Sequence, residues 1–140
     1  MSRVFWDTNL YIYLFEEYRE LSEQTGKLRA RMIERGDLLF TSCLTLGEIL
    51  VKPMEQGDTQ LCLKYEKAIT STSSLISFDA DAAKRYAALR GDRTLRAPDA
   101  VQLACAASTQ IDLFITNNRR LQGKQVDGIQ FIVSLDGVPL

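Results

Sequence analysis

Val4-Phe5-Trp6-Asp7-Thr8-Asn9-Leu10-Tyr11-Ile12 decides how the rest of the chain is read. Its apolar opening has the length and composition of a buried strand, and that strand stops on a carboxylate. In an open α/β sheet, ligands gather beyond the carboxyl ends of the strands, so Asp7 stands at the usual place for a site. Thr8 and Asn9 suit a turn, and Leu10, Tyr11, Ile12, Leu14 and Phe15 resume an apolar pattern that predicts a short helix docked on the sheet. Taken alone, Asp7 reads first as the N-cap of that helix.

Outward from this stretch, strands and helices alternate. A helical pattern from about Arg19 to Arg35 ends at Gly36, with Gly26 arguing against one continuous helix. Leu38-Leu39-Phe40 predicts a second strand, and Thr41 or Ser42 can cap a helix over Leu44–Val51 that Pro53 ends. A further helix from about Asp58 dissolves in the loop-like run Thr70-Ser71-Thr72-Ser73-Ser74. The third strand is Leu75-Ile76-Ser77-Phe78, followed by Asp79 as N-cap of a helix that stops at Gly91. After the charged loop Asp92–Arg96, Pro98 opens an Ala-rich helix that is apolar nearly all round and should therefore be central. Leu113-Phe114-Ile115 is the fourth strand, ending on Thr116-Asn117-Asn118, and Phe131-Ile132-Val133 is the fifth. Alternation of this kind predicts an α/β fold with a mainly parallel sheet of four to five strands, in a single domain over residues 1–140.

Composition narrows the chemistry. At 140 residues and 46% apolar, one sizeable core is affordable, and a net charge of −1 with pI near 5.5 leaves any nucleic-acid surface to local clusters. Neither a signal-peptide pattern nor an apolar run of membrane-spanning length is visible, which predicts a cytoplasmic protein with no membrane partner. Cys43, Cys62 and Cys105 are odd in number, far apart and flanked by apolar residues, so buried free thiols are expected. There is no histidine. Ser-His-Asp and Cys-His nucleophiles are therefore excluded, and a hydrolase built from this chain would turn to carboxylates and metal ions.

Three acids stand out by position: Asp7 after the first strand, Glu48 on the helix after the second, and Asp99 in the first turn of the Ala-rich helix. Each also has a structural reading, Asp99 as a complement to the helix dipole and Glu48 as a solvated helix residue. Glu48 sits among Leu46, Ile49, Leu50 and Val51, so a carboxylate near that face needs a partner.

Phe5-Trp6-Asp7-Thr8-Asn9, Thr45-Leu46-Gly47-Glu48-Ile49-Leu50, Pro98-Asp99-Ala100-Val101-Gln102-Leu103-Ala104 and Phe114-Ile115-Thr116-Asn117-Asn118-Arg119-Arg120-Leu121 together resemble the ordered motifs of PIN-domain ribonucleases, especially VapC-like toxins of toxin-antitoxin pairs. The resemblance spans nearly the whole chain. It implies a three-layer α/β/α domain whose acids hold Mg²⁺ or Mn²⁺ for hydrolysis of single-stranded segments of RNA, tRNA or rRNA among the possible substrates. It also implies a homodimer held inactive by a VapB-like antitoxin. Carried onto this chain, the resemblance makes Asp7, Glu48 and Asp99 the metal ligands, direct or through water, a set of hard oxygen donors that suits those ions.

Where many members carry a fourth acid, this chain has Asn118. Asparagine can coordinate through its carbonyl or orient a water, so Asn118 stays in the catalytic set, and with one charge fewer a one-ion resting site is expected. Thr8 and Thr116 are placed to orient water or ligands. Arg93, Arg96, Arg119 and Arg120 flank the last two motifs and suit phosphate contacts, an acidic partner protein or simply a solvated edge. Two rivals remain. A haloacid-dehalogenase-like phosphatase also places aspartate after its first strand but expects a second two residues on, where this chain has Asn9. A PIN-fold module that binds RNA or protein without cutting is the other.

Overall fold

The computed structural model describes residues 1–140. Its elements run β1 (Arg3–Trp6), α1 (Thr8–Phe15), α2 (Glu20–Arg35), β2 (Leu38–Ser42), α3 (Cys43–Glu55), α4 (Thr59–Thr72), β3 (Ser74–Ile76), α5 (Ala80–Leu89), α6 (Ala97–Thr109), β4 (Ile111–Ile115), β5 (Ile129–Val133) and a 3-10 turn at Leu135–Gly137. All five strands are parallel, in the order β3-β2-β1-β4-β5. No helix is long and apolar enough to cross a membrane.

Side-chain alternation along the strands builds two cores. Val4, Trp6, Leu113 and Ile115 face α1, α2, α3 and α4, where they meet Leu10, Tyr11, Leu28, Met32, Ile49 and Ile69. Phe5 and Phe114 face the other way, onto α6 through Leu103, Ala106 and Ala107. These two phenylalanines are register partners on β1 and β4, and their rings stack 4.8 Å apart. Helices thus cover both faces, the α/β/α layering expected of a parallel sheet.

The fold corrects several local expectations. Pro53 does not end α3. The helix runs on to Glu55, with Pro53 buried inside it, so packing outweighs the amide hydrogen bond that proline forfeits. Thr70, Ser71 and Thr72 belong to α4 rather than to a loop, their hydroxyls returning to the carbonyls of Glu66 and Ala68, which relieves the competition that usually drives such residues out of helices. Gly26 lies within an unbroken α2. Phe78 falls outside β3, half-exposed and edge-on to Tyr86. Of the cysteines, only Cys105 is buried; Cys43 begins α3 and is exposed.

Strand order fixes where a site can be. The chain moves outward from β1 through β2 to β3, then returns to the opposite side of β1 with β4 and β5. Connections leave β1 and β4 in opposite senses, which opens a crevice beyond their carboxyl ends. Asp7 follows β1 there, and Thr116-Asn117-Asn118 follows β4.

Candidate active site

Asp7 is anchored from two directions. Its Oδ1 accepts the Thr8 amide at 2.8 Å, capping α1, and its Oδ2 accepts the Thr116 hydroxyl at 2.7 Å. The side chain is 8% exposed, so burial raises its pKa above the usual carboxylate range. The bonds from Thr116 and Thr8 oppose that rise, while the charges of Asp99 and Glu48 add to it. Asp7 thus caps a helix, while its buried carboxylate lies within the electrostatic reach of Asp99 and Glu48.

Asp99 lies in the first turn of α6, half-buried. The Asn118 side-chain amide stands 3.3 Å from each of its carboxylate oxygens. Asn118 is itself set by its neighbours, its backbone amide donating to the Thr116 hydroxyl at 3.0 Å and its side-chain carbonyl accepting the Arg120 amide at 3.1 Å. One short turn after β4 thus orients both Asp7 and Asp99. With its carbonyl engaged by Arg120, Asn118 turns N–H groups toward Asp99.

Glu48 reaches the same crevice from α3. It is exposed, and its partner is the Thr8 hydroxyl, which donates to Oε1 at 2.6 Å. Beneath this pair lies a polar cluster absent from the expected set. Gln102, on the buried side of α6 and 2% exposed, donates through Nε2 to Thr45 at 2.8 Å and Thr8 at 3.1 Å, while its Oε1 accepts the Ser42 hydroxyl. Thr41 stands 2.9 Å from the Trp6 carbonyl and 2.8 Å from Thr45. Having one proton, Thr41 gives it to the carbonyl, which can only accept, and Thr45 turns its own proton to Thr41. On that assignment every polar group in the cluster is satisfied, and Thr8 is left with its proton for Glu48. The signal in the sequence is a glutamine three residues after Asp99 in a helix otherwise rich in alanine.

Asp7, Asp99 and Glu48 are thus brought to one crevice, with Thr8, Thr116 and Asn118 as their hydrogen-bonding partners. No three acidic side chains are gathered closely enough to enclose an ion by themselves. The donor set nevertheless fits a hard divalent cation: the groups presented are oxygens, and the mutual effect of the three charges on Asp7 is the repulsion that a cation would relieve. Arg93, Arg96, Arg119 and Arg120 are all exposed and take part in no salt bridge, leaving their guanidinium groups free for a phosphate.

With this geometry in hand, the chain can be set beside known proteins. No curated protein sequence matches it. Among solved structures, it is similar to a toxin-antitoxin complex from Klebsiella pneumoniae at 28% identity and TM-score 0.64, covering 91% of this chain and 95% of that one. It shares its fold with VapBC2 from Rickettsia felis bound to a promoter DNA fragment, at 14% identity and TM-score 0.74, covering 94% and 97%. DNA-bound VapBC from Salmonella typhimurium gives 20% identity and TM-score 0.71, covering 96% and 99%. The sequence model of the PIN domain matches residues 4–126, so the chain belongs to the PIN domain family.

Proposed function

We propose that this protein is a VapC-type toxin, an endoribonuclease that hydrolyses RNA phosphodiester bonds with the help of Mg²⁺ or Mn²⁺ and is restrained by a VapB-like antitoxin. The observation that carries the reading is the convergence of Asp7, Glu48 and Asp99 at the switch point, each held by a hydroxyl or amide donor. These three would hold the ion, with Asn118 and Thr116 fixing the acids. When bound, such an ion makes water a stronger nucleophile and offsets charge on the phosphate oxygens.

The chain's own residues do the rest. Asp7 and Asp99, clamped by the β4 turn, give a rigid pair of acceptors for an attacking water. Glu48 faces them from α3 and, poised on Thr8, accepts a proton or orients that water. The exposed arginines draw the RNA backbone across the crevice. Water attacks phosphorus, the P–O bond to the departing ribose oxygen breaks, and that oxygen takes up a proton.

The restraint by an antitoxin follows from the likeness to toxin-antitoxin complexes. A homodimer is the expected assembly: Ile49 is committed to the core, but Val51, Met54 and Leu63 on α3 and α4 expose large apolar side chains that a second copy would cover. Asp7→Asn, Glu48→Gln and Asp99→Asn should each remove most cleavage of single-stranded RNA at saturating Mn²⁺ while the chain stays folded. Induced alone, the wild type should arrest growth and Asp7→Asn should not. Equal arrest by both, or by neither, would refute the toxin-nuclease reading; RNA binding without cleavage would point to the PIN-fold module that binds without cutting.

A further inference from the structure

At the turn after β4 lies a cavity of about 370 Å³ lined by Tyr13, Asn117, Arg119, Gln122, Ser134 and Asp136. Tyr13 is the only apolar contributor, whereas apolar residues make up half or more of the lining of two other hollows on the surface. It is joined to the site through the backbone. Thr116 bonds Asp7 and Asn118 bonds Asp99, and Asn117 between them accepts the Leu135 amide through its carbonyl at 3.1 Å.

The hydrogen-bonding capacity of the lining is largely unspent. Neither the Tyr13 hydroxyl nor the Arg119 guanidinium has a partner in the chain, and the side-chain amide nitrogen of Asn117 is free. Gln122 donates to the Thr116 carbonyl at 3.2 Å and keeps its own side-chain oxygen available. Ser134 accepts the Gly137 amide at 3.1 Å and retains its proton. Asp136 takes the Gln24 amide on Oδ1, leaving Oδ2 as an acceptor. A cavity of this size takes one small organic group. Donors and acceptors in mixed order, one aromatic ring and one free guanidinium match an unstacked nucleotide, whose base has a face to stack and an edge to read and whose phosphate takes arginine.

Resting on the ribonuclease reading above, we propose that this cavity is a nucleotide subsite: one base of single-stranded RNA enters it, packs on Tyr13 and meets Asn117, Gln122 and Ser134, while Arg119 holds the adjoining phosphate. The strand would then run from the subsite over the Thr116–Asn118 turn to the acids. Cleavage preference would be set at this position.

The test is binding and cleavage with the full chain and short, fluorescein-labelled single-stranded oligoribonucleotides. One series carries a base at every position and the other a single abasic residue moved along the strand. Binding is read by anisotropy in EDTA, cleavage with Mn²⁺. One abasic position should weaken wild-type binding at least about fivefold, the scale of a base–aromatic stack. Tyr13→Ala should erase that difference. Arg119→Ala should raise Kd and KM and lower the slope of log affinity against log salt by about 0.7, as expected for one lost phosphate contact on a single strand. Tyr13→Phe, which keeps the ring, should retain most of the abasic discrimination and serves as the folding control. If wild type cleaves RNA but no abasic position matters, or both alanine variants stay within twofold, the subsite is wrong and the nuclease reading survives. If wild type never cleaves yet shows the Tyr13-dependent abasic effect, the subsite stands and the nuclease reading falls.

Discussion

Removing Gln102 tests whether the polar cluster beneath Glu48 is held together as described. Gln102→Leu keeps the volume close to that of the native side chain, so packing changes little. The Ser42 hydroxyl, fully buried, loses its acceptor, and an orphaned buried donor costs roughly 1–3 kcal/mol. Thr8 and Thr45 each lose an incoming amide, yet stand 3.2 Å apart and can turn toward one another, which limits that loss. The expected net destabilisation is about 2 kcal/mol, a fall in Tm of roughly 8 °C for a chain of this size. Ser42→Ala strands the Gln102 carbonyl instead and removes the cap that accepts the Thr45 amide, for about 1–2 kcal/mol. The double variant removes both partners of the buried bond, so its cost should fall short of the sum by about 1 kcal/mol. Urea unfolding in EDTA measures all three. Additivity within about 0.5 kcal/mol would show that Ser42 and Gln102 do not act on one another and would refute the assignment. In parallel, Gln102→Leu should lower RNA cleavage at least about tenfold, since a Thr8 freed from Gln102 no longer fixes Glu48. Unchanged cleavage would mean that Glu48 needs no support from below.

Three further outcomes follow. Asp7 has its pKa raised by burial, so the folded state holds that proton to higher pH than the unfolded chain; stability due to this group is greatest below the unfolded value near 4 and falls as pH rises through the folded value. Asp7→Asn, which still caps α1, should therefore raise the Tm by a few degrees at pH 7 in EDTA, and the gap to wild type should narrow toward pH 4; a gap that widens on acidification contradicts the sign. Asn118→Asp replaces an amide 3.3 Å from both Asp99 oxygens with a like charge, so the variant should be less stable in EDTA, keep its activity and bind Mn²⁺ more tightly by calorimetry, whereas unchanged or weaker affinity would put Asn118 outside the reach of the ion. Gly128 has φ of +97° and an added Cβ would stand 2.5 Å from the Ala107 carbonyl, so Gly128→Ala should cost about 2 kcal/mol or more in urea unfolding, without changing cleavage per folded molecule.

What could be read from the sequence was whatever depends on local periodicity. Strands ending at Asp7 and before Thr116, the cap at Asp79 and the buried Ala-rich helix all follow from patterns a few residues long, and so does the α/β class. The misplaced boundaries share one cause. Pro53 and the Thr70–Thr72 run carry local signals against helix, and tertiary packing or back-bonding to helix carbonyls overrides them. The apolar neighbours of Cys43 predict a buried thiol. At the first position of α3 it points to solvent instead, a matter of helix phase rather than composition. Gln102 is harder to read from sequence. Its partners lie 94, 60 and 57 residues away, so nothing in its own neighbourhood announces a role except its polarity in an apolar setting.

The acids of this site are held by two separate clamps. On the β4 side, Thr116 and Asn118 take Asp7 and Asp99; on the β2 side, Gln102 and Thr45 set Thr8, which takes Glu48. The two meet at a single peptide, where the Thr8 amide donates to Asp7 at 2.8 Å and the Thr8 hydroxyl leaves for Glu48. That bond is the N-cap of α1, so the relative placement of Asp7 and Glu48 is tied to the first turn of a helix whose Leu10 and Tyr11 are fully buried in the core. Movement of one acid against the other therefore requires either fraying that turn or breaking the Thr8–Glu48 bond. The second is far cheaper, because Glu48 is exposed and water can replace its partner. Of the three acids, Glu48 is accordingly the one free to adjust, while Asp7 and Asp99 are held by the turn after β4.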